Sequence, residues 1–207
     1  MTVLPMTDER VFALLPGVSR TFAISIAALR GTLAADVATA YLLCRLLDTV
    51  EDDTTLPEVE RRTLLLDLAG GIEHPEETGA VCDRLVRLEG RITATPCERE
   101  LLLESRELFL RIQTLGGQRA AVIRRWAAEM ARGMAEFVSD LPGQRIQTMA
   151  DLARYCHFVA GTVGGMLTGL FVLCGPGISE RRRRLLEEHM ESFGRGLQMV
   201  NIIKDCG

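Results

Sequence analysis

Apolar residues recur at spacings of three and four along nearly the whole of this 207-residue chain, and no stretch alternates apolar with polar as a half-buried strand does. A chain patterned this way can bury its apolar stripes only by packing helix on helix. The fold class expected is therefore all-α, a single helical domain over residues 1–207. The spacing predicts helices at about 7–15, 20–30, 34–52, 57–70, 77–93, 97–115, 118–140, 148–174 and 179–205. Breaks are expected at Pro16-Gly17, Gly31, Thr54 to Pro57, Gly70-Gly71, Pro96, Gly116-Gly117, Pro142-Gly143 and Gly175-Pro176-Gly177, where glycine and proline interrupt the pattern.

Composition narrows the function. Apolar residues make up 47% of the chain, a globular rather than a disordered share. The formal net charge of −4 leaves no basic footprint, so nucleic acid is not an expected partner. Six scattered cysteines without a Cys-x-x-Cys pair, and no visible leader, read as reduced thiols in the cytoplasm. Residues 158–178 carry no charge and are long enough to span a bilayer, and Gly161, Gly165 and Gly169 repeat at four. They read first as a buried central helix whose small residues admit a neighbour or leave room for a long apolar chain. A membrane span is the second reading. Arg181 to Arg184 read as a solvated face, with a peripheral contact to anionic lipid as the second reading. His74 and His189 sit in charged, exposed contexts; His157 reads as a hydrogen-bonded structural histidine and Trp126 as packing.

Chemistry enters where acids interrupt an apolar helix. In Tyr41-Leu-Leu-Cys-Arg-Leu-Leu-Asp-Thr-Val-Glu-Asp-Asp53, Asp48 and Asp52 lie four apart on one face, with Glu51 beside them and Arg45 three residues before Asp48. Like charges so placed repel, and an oxygen-seeking divalent cation such as Mg²⁺ relieves them. A solvated helix end running into Thr54-Thr55 is the plain alternative, and Arg45 pairing with the acids is another. Near the other end, Gln198, Asn201 and Asp205 form a second polar stripe at i, i+3 and i+7. Tyr155 and His157 open an apolar segment. Ser19 is placed to cap a helix whose first residues, Arg20 to Phe22, offer N–H groups and a guanidinium to phosphate oxygens.

Four of these segments carry a resemblance: Ser19-Arg-Thr-Phe22, Leu47-Asp-Thr-Val-Glu-Asp-Asp53, Tyr155-Cys-His-Phe-Val-Ala-Gly161 and Leu197-Gln-Met-Val-Asn-Ile-Ile-Lys-Asp205. In order and separation the chain resembles the squalene/phytoene synthase family, and within it the squalene synthase branch most. The resemblance implies an isoprenoid-synthase-type helical bundle around a central cavity. It implies a Mg²⁺-dependent prenyltransferase that condenses two farnesyl diphosphates head to head into presqualene diphosphate and, with NADPH, converts this to squalene. Phytoene, dehydrosqualene and presqualene diphosphate synthases are alternatives within the family, and a non-catalytic helical scaffold or a membrane-embedded helical protein is the alternative outside it. The resemblance gives Asp48, Glu51, Asp52 and Asp205 as metal ligands. It gives Tyr155, Tyr41 and Arg45 as catalytic, and Ser19, Arg20, Phe22, Arg45, Gln198, Asn201 and Lys204 as substrate or cofactor contacts. No Gly-x-Gly-x-x-Gly unit is present, so a nicotinamide site here is not of the Rossmann kind. The family's second acidic motif resembles Asp-x-x-x-Asp, whereas Asp205 is followed only by Cys206 and Gly207. The chain thus looks like the N-terminal two-thirds of such a domain, lacking its C-terminal helices, and slow turnover is expected of it alone.

Overall fold

In a computed structural model that describes residues 3–139, 146–175 and 177–205, the periodicity becomes helices without strands among the described residues. They are α1 (Asp8–Val18), α2 (Arg20–Ala27), α3 (Thr32–Glu51), α4 (Glu58–Glu73), α5 (Thr78–Leu88) and α6 (Pro96–Leu103). There follow α7 (Ser105–Thr114), α8 (Gly117–Phe137), α9 (Met149–Cys156), a π turn (His157–Gly161), α10 (Thr162–Cys174) and α11 (Glu180–Asp205). The side chains of Arg20, Leu197, Asn201, Lys204 and Asp205 fall outside the described part, as do the predicted break at Pro142-Gly143, Pro176 and Cys206.

Helix starts follow their capping chemistry. Ser19 caps α2 by accepting the Phe22 N–H at 3.3 Å. Thr95 with Glu98, and Thr148 with Asp151, close reciprocal capping boxes on α6 and α9. Several predicted boundaries move, and the helix expected over 77–93 ends at Leu88. Pro16 does not end α1, which runs two residues further although the proline has no N–H to donate to the carbonyl four residues back. Gly17 lies inside the helix, and Cys97 packs where a Cβ on it would be. The stretch expected as one helix over 97–115 divides at Glu104, whose backbone leaves helical angles. The stretch over 148–174 is interrupted by the π turn.

α3 is the axis. It packs against α1, α2, α4, α6, α7, α8 and α10, and Leu42, Leu43, Leu46, Leu47 and Val50 along it are fully buried. α10 touches both α3 and α11, and so connects the two polar helices of the sequence reading. The glycines around α10 are used for close approach. A Cβ on Gly164 would meet the Met190 carbonyl, one on Gly194 the Ala160 carbonyl, and one on Gly165 the Trp126 ring. Trp126 is thus packing, as expected, with the Arg125 guanidinium over its ring at 4.7 Å. Met149–Cys174 is long and apolar enough to cross a membrane by length and composition, with mean hydropathy 1.6, but α8, α3 and α11 pack against it. Arg181 to Arg184 are exposed, and Arg183 and Arg184 pair with Glu187 and Glu180 one turn away, the geometry of a solvated face.

Candidate functional site

Between Ala34 and Glu51, every residue of α3 is buried except Tyr41, Arg45 and Asp48, and the next residue at the same spacing, Asp52, is exposed. The intervals of four, three and four keep these side chains on one stripe of the helix. Helices from distant parts of the chain cover α3 everywhere else. One narrow polar strip is therefore left partly open on an otherwise enclosed helix, half-buried at Tyr41, Arg45 and Asp48 and exposed at Asp52, and it is the strip the sequence marks for chemistry.

The strip has a sequence of its own. At its N-terminal end the Phe22 ring of α2 lies 5.2 Å from the Tyr41 ring, so the Ser19–Phe22 capping segment sits against it. Arg45 follows: its Nη2 donates to the Tyr41 hydroxyl at 3.4 Å and its Nη1 is 3.7 Å from Glu98 Oε1 on α6. Burial works against the guanidinium's charge, but the Tyr41 hydroxyl and the Asp48 and Glu98 carboxylates outweigh it and hold its pKa above the ordinary value. At the far end stand Asp48 and Asp52. Desolvation pushes Asp48 up to about 7; Arg45 opposes the shift, while Asp52 and Glu98 add to it. Neither carboxylate has a hydrogen bond or ion pair to another side chain among the described residues.

Glu51 departs from the expectation. It is 2% exposed and turned to the buried side of α3, where Arg61 Nη1 donates to its carbonyl at 3.2 Å. At about 100° per residue, Glu51 and Asp52 diverge by more than a quarter turn, and packing places the boundary between them. Among the described residues no three His, Cys, Asp or Glu side chains are grouped as a ready-made metal cluster. Asp53 is different again. It is 1% exposed, and its oxygens accept N–H groups from Leu56 at 2.6 Å, Thr93 at 2.6 Å and Thr55 at 3.1 Å. It organises the loop after α3.

A second group gathers around the π turn. Tyr155 lies edge-on to Phe137 at 5.5 Å, and α9 packs on α8, the π turn and α11. Cys156 Sγ meets Met199 Sδ at 3.9 Å, which sets α9 against the stretch of α11 that carries Gln198, a half-buried residue. His157 is hydrogen-bonded, as expected, with Nε2 at 3.0 Å from Glu129 of α8 and Nδ1 at 3.2 Å from Glu191 of α11. A Cβ on Gly161 would crowd that imidazole at 3.1 Å and Glu191 at 3.2 Å. The widened turn and its glycine therefore make room for the bridge. The expectations for Arg20, Asn201, Lys204 and Asp205 rest on side chains outside the described residues. α10 packs against both α3 and α11, the helices that carry the two groups. An open groove of about 340 Å³ lined by Thr78, Gly79, Arg106 and Gln113 among others contains none of these residues.

Sequence reasoning passed over Glu98. Its local role was legible in Thr95-Pro-Cys-Glu98, a capping-box pattern. Its approach to Arg45 across 53 positions was not.

Comparison with known proteins adds to this geometry. The family model for squalene/phytoene synthase matches residues 15–207. A probable squalene synthase of Neurospora crassa is 31% identical over 204 residues, covering 96% of this chain and 39% of the relative. Squalene synthase 1 of Arabidopsis thaliana is 32% identical, covering 94% of this chain and 43% of the relative. A solved structure of TcSQS with a bound ligand superposes with a TM-score of 0.77 at 30% identity, over 96% of this chain and 53% of that one. The chain thus spans less than half the length of those two relatives and about half of the solved chain.

Proposed function

The chain belongs to the squalene/phytoene synthase family, and from that premise we propose that it serves a Mg²⁺-dependent condensation of two farnesyl diphosphates into presqualene diphosphate, followed with NADPH by reduction to squalene. The observation that carries this reading is the open strip Tyr41, Arg45, Asp48, Asp52 on a helix buried everywhere else around it. Exposing charge on the axis of a bundle serves no packing purpose, whereas it presents oxygen donors and a guanidinium to one ligand.

The donors suit a hard cation. Asp48 and Asp52 are carboxylates one turn apart, the first desolvated, without a side-chain partner among the described residues. Together with Asp205 from α11 they form the proposed metal set; Glu51, turned into the core, falls outside it. Bound magnesium would supply the neutralisation that a departing diphosphate requires. Arg45, with Arg20 and Lys204, would direct positive charge at phosphate oxygens. Gln198 and Asn201, three apart in the sequence, would contact substrate, as would Ser19 and Phe22. The Phe22–Tyr41 ring pair would offer aromatic faces to an allylic cation, and the Tyr155 phenol, edge-on to Phe137, would carry a proton.

Incubating the intact gene product with farnesyl diphosphate and Mg²⁺, with and without NADPH, tests the proposal. Presqualene diphosphate without NADPH and squalene with it are expected. Dehydrosqualene or a C40 product would move the protein to another branch of the family, and no binding of farnesyl diphosphate would remove the enzyme reading.

A further inference from the structure

We propose that Glu98 is a positioning residue that holds Arg45 away from Asp48 and so keeps the acidic end of the strip free for a divalent cation; this rests on the metal reading of that strip given above. Arg45 precedes Asp48 by three residues on α3, a spacing at which Arg and Asp normally pair. Yet among the described residues Arg45 pairs across with Glu98 on α6, at 3.7 Å, while its Nη2 is taken by the Tyr41 hydroxyl at 3.4 Å. Both groups are largely shielded, with side chains 27% and 18% exposed, where a charge pair acts more strongly than on an open surface.

Glu98 is itself fixed. Its Oε2 accepts the Thr95 N–H at 2.9 Å and the Thr95 hydroxyl at 2.8 Å, in the capping box that starts α6. That leaves Oε1 toward the guanidinium. A helix cap on one segment thereby sets the direction of a charged side chain on another. Arg45 Nε, moreover, is buried without a hydrogen-bond partner. A placement chosen for stability alone would not leave that donor unmet; holding the guanidinium off Asp48 accounts for it.

The two duties of Glu98 are separable. In Glu98→Gln the carboxamide oxygen still accepts from Thr95, so α6 keeps its cap, but the charge facing Arg45 is gone. The guanidinium then swings to Asp48. Titration with Mn²⁺ alone, followed by paramagnetic resonance, reads the consequence on the full chain. Affinity is expected to fall about tenfold in Glu98→Gln with the melting temperature unchanged. In an Arg45→Met background the same substitution should change it less than about twofold, because no guanidinium remains to be misdirected. Equal losses in both backgrounds would show that Glu98 acts only through its field, and affinity unchanged in both would show that it only caps; either result overturns the proposal. Should Glu98→Gln fold poorly, a crystal structure of Glu98→Asp, whose shorter carboxylate can still accept the Thr95 N–H but falls short of Arg45, is expected to show Arg45 on Asp48, and Arg45 left facing residue 98 would refute the assignment. If the parent protein takes up no Mn²⁺, the metal reading fails first and this inference with it, a result distinct from the others.

Discussion

Asp48, Asp52 and Asp53 stand within six residues and meet three environments, which makes them a direct test of how packing sorts identical side chains. Asp53 loses hydration on burial, but its hydrogen bonds from Thr93, Leu56 and Thr55 outweigh that loss and draw its pKa below 3.8. Asp53→Asn, which keeps the shape but turns two acceptors into one, should cost about 2–3 kcal/mol by chemical denaturation at neutral pH. A depressed folded pKa means that this contribution is complete above the unfolded value near 3.8 and disappears as pH falls through the lower folded one. The gap between parent and variant should therefore close in acid and stay constant from pH 5 upward. Asp48 runs the other way. Burial raises it to about 7, so without a cation the folded protein keeps a proton there that the unfolded chain releases, and stability declines as pH rises from about 4 to 7. Asp48→Asn should melt higher than the parent at pH 8 in chelator, by about 1–3 kcal/mol, and nearly equally at pH 4. The same variant should lose Mg²⁺-dependent binding of a farnesyl thiodiphosphate in calorimetry, and retained binding would refute the metal assignment.

At the scale of elements, the sequence showed small residues on the apolar helix but not their purpose. Admitting a neighbour and leaving a cavity were both open from the spacing of Gly161, Gly165 and Gly169. The structure decides for close approach among the described residues, since Trp126 occupies the place of a Gly165 Cβ and Val122 that of a Gly169 Cβ, as the Met190 carbonyl does beside them at Gly164. Gly164→Ala must push α10 from α11 and should destabilise by about 2–4 kcal/mol in thermal unfolding. Gly90→Ala is the control: nothing lies within 4 Å of its added methyl, and it should be neutral or gain about 0.5 kcal/mol. The π turn was illegible for a different reason. Its one-residue widening follows from seating His157 between Glu129 and Glu191 on two other helices, a requirement that no local periodicity records.

The molecule as a whole is tied by a few long-range polar contacts that fix where α3 lies. Arg111 on α7 donates to the Met6 carbonyl at 2.9 Å, to Thr39 on α3 at 2.6 Å and to Asp8 at 2.5 Å, and is itself 7% exposed. Arg111→Met should cost about 3–5 kcal/mol, because Asp8, Thr39 and the Met6 carbonyl lose their shared partner; a loss below 1 kcal/mol in urea unfolding would show that apolar packing alone sets the register of α3. The amino-acid sequence by itself determined the helices, their caps and the alignment of Tyr41, Arg45, Asp48 and Asp52 on one stripe. Those properties depend on hydrogen bonds and angles spanning only a few residues. Only the tertiary structure decided that this stripe is the open one, that Glu51 and Asp53 turn inward, and that Glu98 meets Arg45. Exposure and cross-helix pairing depend on which distant segments cover a face, and that is settled when the apolar stripes of the whole chain pack together.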